Sequence, residues 1–260
     1  MHWLVQRSMY REQGEAVLLE TLERFGIPHD VVSVSRETGL LEPDVSPQGL
    51  VFVCGTYHLA RVAAERGWLP GTFMNEDHDH RAWVANWGAR MLNAGAVTCR
   101  VADLNPASGR VFLRPAGDNK YFDGRVLDAG AAVAWRDAIV AGCASPFPCS
   151  ERVGPDTVVT HGPAFEIYRE TRFFVVDGVV VTGSTYRYCG NVVSSPDVDP
   201  AARDLVREAI SVWQPARGFV VDAALTDSGW RIVEVNCLNT AGFYGADVQR
   251  LVMAIESMEF

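Results

Sequence analysis

Along the first hundred residues, short apolar runs alternate with stretches of helical spacing. Residues 1–6 read as a strand. Residues 12–25 follow with Ala16, Leu19, Leu22 and Phe25 near a helical repeat, and Gly26 supplies the stop. Strand patterns return at 30–35 and at 50–54, the latter reading Leu-Val-Phe-Val-Cys. This β-α-β order predicts an α/β layer. Residues 57–67 and 79–91 again have helical spacing, and Gly67-Trp68-Leu69-Pro70-Gly71 separates them as a turn-rich break.

From about residue 92 the pattern changes to paired strands with tight turns. Phe173-Phe174-Val175-Val176 and Val179-Val180-Val181 flank Asp177-Gly178, a dipeptide that suits the positive φ angles of a type I′ hairpin turn. Helices are predicted at 128–142, at 199–213, where Leu205, Ala209 and Trp213 recur every four residues, and at 244–256. The composition shift at Asn105-Pro106-Ala107-Ser108-Gly109 divides the chain, on this reading, into an α/β lobe over 1–105 and antiparallel-sheet lobes over 106–260.

Composition narrows the partners. At 260 residues and 48% hydrophobic content the chain can bury a full core, and its net charge of −9 with no basic tail argues against nucleic acid. Small molecules or peptides fit better. No apolar run approaches the roughly 18 residues needed to cross a bilayer, and the first residues lack a signal-peptide pattern, so a soluble cytoplasmic protein is expected. The six cysteines contain no CxxC, which supports neither a zinc knuckle nor a dense disulfide framework. Lys120 is the sole lysine; arginine serves every other cationic position.

Chemistry concentrates in residues 218–237. Two alternating strands flank Asp227-Ser228-Gly229, which reads as a three-residue loop with glycine in the left-handed position. Pairing Thr226 with Trp230 then sets Asp222 opposite Glu234, with Asn236 two residues on along the same face. Facing carboxylates repel, and a divalent cation removes that cost; two carboxylates and an amide oxygen are hard donors of the kind magnesium accepts. The alternative, a solvated strand face, sits poorly with two acids inside apolar strands. In the Asp-Gly hairpin, pairing Val176 with Val179 puts Glu170, Arg172, Thr185 and Arg187 on one face, an arrangement suited to gripping phosphate oxygens. The alternative there is a functionally silent surface pair.

Glu234-Val235-Asn236 after an apolar strand, with Asp222 on the preceding strand, resembles the metal-binding core of ATP-grasp enzymes. Val111-Phe112-Leu113-Arg114-Pro115 leading to Lys120, Glu170 through Gly178, and Asn239 through Tyr244 resemble a divergent clade in which Arg-Pro followed by lysine replaces the usual Lys-Pro. The resemblance spans about residues 50–260. It implies ATP held between two antiparallel lobes, with Mg2+ on Asp222, Glu234 and Asn236, and with Arg114 and Lys120 reaching the phosphates. The strand ending near Thr160-His161-Gly162 resembles the hinge whose backbone meets adenine, with Glu166 beside it as a ribose or hinge contact. Glu170 and Arg172 join the nucleotide set, and Lys120, Arg172 and Arg187 form the catalytic set. The implied reaction is ATP-dependent joining of a carboxylate to an amine, on a small molecule, peptide or protein, through an acyl phosphate. An ATP-binding assembly factor without ligation, or a metal-binding α/β protein without ATP, are the other readings.

This chain departs from the common pattern in having no glycine-rich phosphate loop; Tyr121 to Val126 is expected to serve as the lid. In Asp77-His78-Asp79-His80, helix capping is favoured over metal binding. Asn75 and Glu76 are candidates for the acceptor site. Cys237 points away from Asn236 by strand alternation.

Overall fold

The computed structural model describes residues 1–7, 14–35, 37–73, 79–117, 122–148 and 152–260. The first layer comprises β1 (His2–Gln6), α1 (Gly14–Arg24), β2 (His29–Val34), β3 (Leu41–Glu42), β4 (Val51–Cys54), α2 (Tyr57–Glu65) and β5 (Pro70–Gly71). Its strand order is β3-β2-β1-β4-β5, parallel except for β3. Successive residues of β1 and β4 serve opposite faces. Leu4, Val51 and Val53 pack on Leu59, Val62 and Ala63 of α2, whereas Trp3, Val5 and Phe52 enter the central core.

After α3 (His80–Trp87) come β6 (Val97–Arg100), β7 (Arg110–Pro115), β8 (Arg125–Asp128), α4 (Ala129–Val140) and β9 (Val158–Pro163). These strands form an antiparallel sheet of order β6-β9-β7-β8, whose first strand lies upstream of residue 105. Ala132, Trp135 and Ile139 of α4 cover its Leu113 and Val159. The last sheet comprises β10 (Arg169–Val176), β11 (Val179–Tyr188), β12 (Asn191–Ser195), β13 (Gly218–Thr226) and β14 (Gly229–Cys237), in the order β12-β11-β10-β13-β14, also antiparallel. Between β12 and β13 runs α5 (Pro200–Val212), and α6 (Val248–Glu256) closes the chain.

Alternation along β10 and β13 separates two cores. Phe173, Val175, Phe219 and Val221 pack on α5 and α3, while Phe174, Val176 and Val220 pack on α6 and on Trp3 and Phe52 of the first layer. Leu251, Val252 and Ile255 of α6 are buried there, each contributing about 1.5–3 kcal/mol of apolar burial. Polar ties reinforce the seam. The Trp3 indole donates to Glu256 at 2.6 Å, the Met1 amine meets the other Glu256 oxygen at 2.7 Å, and the buried Asn239 amide accepts from Phe73 N at 2.8 Å and donates to the Val53 carbonyl.

The architecture is the one anticipated: an α/β layer, then two antiparallel sheets. Helices form at each expected stretch. The last one starts later than periodicity suggests, because Tyr244 turns the chain at φ +50° and Asp247 caps the helix by accepting from Arg250 N at 2.9 Å.

Candidate active site

Asp222 does lie opposite Glu234, though by a different route from simple counting. Thr226 pairs with Gly229, not Trp230; the Thr226 hydroxyl donates to the Gly229 carbonyl at 3.1 Å and tightens the turn to two residues. A bulge at Val233 then restores the expected pairing, since Ala223 faces Ile232 and Asp222 faces Glu234. The bulge has a second effect: Val233, Glu234 and Asn236 all face the same cleft.

The neighbouring hairpin repeats the device. Its turn places Asp177 at φ 44° and Gly178 at φ 74°, the type I′ geometry that Asp-Gly favours. Extra residues at Val181 and Tyr186 shift the register, so Arg172 faces Ser184, Glu170 faces Arg187 and Thr171 faces Thr185. Thr185 therefore leaves the expected face; it is buried against Thr171, with hydroxyls 3.1 Å apart. Tyr186 takes its place, and its hydroxyl donates to Glu170 at 2.7 Å.

A cleft of about 540 Å³ opens between the two antiparallel sheets. Leu92, Phe112, Phe165, Ile167 and Val233 line it with apolar surface, and Arg114, Glu170, Arg187, Glu234 and Asn236 supply charge and amide groups. Phe122, Asp123, Gly124 and Val126 also stand along its wall. At Gly124 a Cβ would come within 2.8 Å of the Phe112 ring, so a larger residue there would displace that ring.

Two arginines balance the two acids. Arg172 grips Asp222 bidentately, Nε to Oδ1 at 2.8 Å and Nη2 to Oδ2 at 2.7 Å, and Arg114 stands 3.8 Å from Glu234. Burial pushes the Asp222 carboxyl up to about 6 against the pull of Arg172. Burial also opposes charge on Glu234, but Arg114 and the Asn236 amide outweigh it and hold its pKa below the ordinary value. For Arg172, the desolvation penalty is overcome by the Asp222 charge and hydrogen bonds, which raise its pKa.

Asn236 Nδ2 donates to Asp222 at 3.2 Å and to Glu234 at 3.0 Å, placing the positive end of an amide between both carboxylates. That is the position a cation would take, and turning the amide would present its oxygen instead. The donor set thus fits a hard divalent ion such as Mg2+. Among the described residues no cluster of three or more His, Cys, Asp or Glu side chains has metal-site geometry, so the amide is needed to complete the set.

Other expected residues are distributed differently. Arg114, Glu170 and Arg187 line the cleft. Thr160 and His161 lie within β9, an interior strand whose backbone groups are committed to ladders with β6 and β7; Thr160 is buried and its hydroxyl meets that of Thr98 at 2.9 Å. The backbone along the cleft comes just after them, at Pro163, Ala164, Phe165 and Ile167. Glu166 points to the surface and pairs with Arg110 at 3.0 Å. Asp79 caps α3 by accepting from Arg81 N at 2.7 Å. Lys120, Asn75, Glu76, Asp77 and His78 fall outside the described residues. Sequence reasoning missed Tyr186, Val233 and the Tyr186–Tyr244 stack, whose rings lie 5.1 Å apart at 19°; the signal for the bulge at Val233 is the slipped alternation from Trp230 and Ile232 to Val235 and Cys237.

Comparisons with known proteins bear on the fold and the family. No curated protein matches the chain. Among solved structures, D-cycloserine synthetase DcsG superposes with TM-score 0.62 at 14% identity, covering 98% of each chain. The D-alanine–D-alanine ligase of Bacillus anthracis gives 0.58 at 11% identity, covering 99% of this chain and 97% of the ligase. The ATP-grasp ligase PsnB with its minimal precursor gives 0.54 at 14%, covering 98% and 99%. At such identities these likenesses speak for the fold. The family model for the ATP-grasp domain, R-2-K clade family 3, matches residues 62–255, and the chain belongs to that family.

Proposed function

We propose that the protein is an ATP- and Mg2+-dependent ligase joining a carboxylate to an amine through an acyl phosphate. The observation that carries this reading is the cleft, apolar along Leu92, Phe112, Phe165, Ile167 and Val233 and charged at Arg114, Glu170, Arg187 and Glu234. A purine needs the first kind of surface and a polyphosphate the second. The ligase neighbours, which include a complex with ATP and complexes with a precursor peptide, support the same assignment.

In this scheme Asp222, Glu234 and Asn236 hold the cation, which when bound neutralises charge on the phosphates. Arg114 is pre-aimed: its guanidinium lies 5.6 Å from the Trp83 ring centroid and beside Glu234. Arg187 approaches from β11, tethered to Glu170 at 3.3 Å, and the family pattern assigns Lys120, a compact ammonium, to the transferred phosphoryl group. These side chains stabilise negative charge as a carboxylate oxygen takes the γ-phosphoryl group and ADP leaves; the amine then displaces phosphate from the acyl carbon and gives up a proton.

Incubation with ATP, Mg2+ and pools of amino acids and peptides tests the reading. ADP and phosphate released only with a particular acceptor pair support ligation. Tight ATP binding with no turnover on any acceptor supports the assembly-factor reading, and Glu234→Ala binding Mg·ATP as well as wild type overturns the site. An acyl-phosphate ATP probe adds an independent check: the Met1 amine is engaged by Glu256, so ATP-competed labelling should map to Lys120.

A further inference from the structure

The resemblance assigns Arg172 to the nucleotide, yet three of its five N–H donors are committed elsewhere. The fork of Nε and Nη2 is spent on Asp222, and Nη1 donates to the Gly242 carbonyl at 3.3 Å. Its side chain is 11% exposed and that of Asp222 1%, and neither residue lines the cleft; Asp222 meets it through Asn236, which does. The guanidinium carbon lies 5.5 Å from the Tyr186 ring centroid and 5.4 Å from that of Tyr244, within cation–π range of both. Tyr186 is itself held by its hydroxyl bond to Glu170 and by stacking on Tyr244. Tyr244 occupies left-handed backbone at φ +50°, a conformation unfavourable for a bulky residue, and yet keeps its ring in this stack.

A carboxylate offers about four lone-pair positions over its two oxygens. The Arg172 fork takes one on each oxygen, leaving the others directed toward Asn236 and Glu234. Arg172 thereby sets the plane of Asp222 behind Asn236 and Glu234, which line the cleft, and a lysine, lacking the planar fork, would not do so.

We infer that Arg172 is a positioning residue, locked by Tyr186 and Tyr244, which aims Asp222 at the cation, and that it is not a phosphate ligand. The inference rests on the proposed Mg·ATP site. Its test is calorimetric titration of the purified chain with ATP, in EDTA and at increasing Mg2+. Arg172→Lys should raise the Mg2+ concentration needed for half-maximal ATP binding about 10- to 100-fold, as loss of a ligand-orienting partner does, and leave metal-free ATP binding unchanged. Tyr186→Leu and Tyr244→Leu should shift it in the same direction by less. An Arg172→Lys loss of ATP affinity as large in EDTA as in Mg2+ would identify a phosphate ligand and overturn the inference. If Arg172→Lys does not fold, the tyrosine variants decide: an unchanged Mg2+ requirement in both sinks it. Wild type binding Mg·ATP while all variants match it defeats this inference alone; wild type failing to bind defeats the nucleotide reading as well.

Discussion

The β10–β13 ladder carries one ion-pair geometry in two environments. Arg172 and Asp222 face each other within it, and Asp177 and Arg217 meet just past its last pair, Val176 with Gly218. Both are bidentate: Nε and Nη2 bond at 2.8 and 2.7 Å in the first pair, and at 2.7 Å each in the second. Exposure separates them. The side chains of the outer pair are 45% and 41% exposed, those of the inner pair 11% and 1%. Water already solvates the outer charges, so their attraction adds little; the inner charges have lost their water and depend on one another. Geometry alone does not rank an ion pair.

Removing one partner at each site gives the sharpest contrast. Arg172→Met strands a buried carboxylate and should cost about 3–5 kcal/mol in urea unfolding. A loss no larger than that from the matching Arg217 substitution would erase the distinction. Next comes pH. The Asp222 carboxyl is raised to about 6 in the folded protein, so the native state holds a proton that the unfolded chain releases. Its contribution is complete below the unfolded pKa near 4, and metal-free stability should fall on the order of 2–3 kcal/mol as pH rises from there through about 6. Glu234, with its lowered pKa, works in the opposite sense and loses its contribution as pH falls. Comparing Asp222→Asn with wild type in EDTA isolates the first slope; parallel melting-temperature profiles would refute it.

Tyr186→Phe removes only the hydroxyl that donates to Glu170, and about 0.5–1.5 kcal/mol should be lost. Chemical denaturation with matched slopes measures this directly. The smallest effect belongs to the exposed pair. Arg217→Met should cost about 0–1 kcal/mol, and the difference from wild type should shrink further in high salt. A salt-insensitive loss comparable to that at Arg172 would show that burial is not what separates the two.

Much of this molecule was legible in residue order. Periodicity marks the helices because each buries one stripe, as Leu59, Val62 and Ala63 do in α2. Asp177-Gly178 marks its own turn through backbone sterics, whereas counting along β13 and β14 reaches the facing acids Asp222 and Glu234 only because the tighter turn and the bulge at Val233 offset one another. The interior setting of Thr160 and His161 was not legible, since it depends on β6 arriving from about sixty residues upstream to pair with β9.

What the sequence determined by itself is therefore local: element type, hairpin turns, and which residue types carry charge within apolar strands. These follow from backbone preferences and from the spacing of side chains along a helix or strand. Tertiary structure decided which of those charges share a wall. Bulges at Val233 and Tyr186 redirect side chains into the cleft, and the β10–β13 register sets Arg172 across from Asp222. Whether a strand accommodates an extra residue, reversing its alternation beyond that point as between Ile232 and Val235, depends on its partner strand, and the cost of an unpaired charge arises only once packing has removed its water.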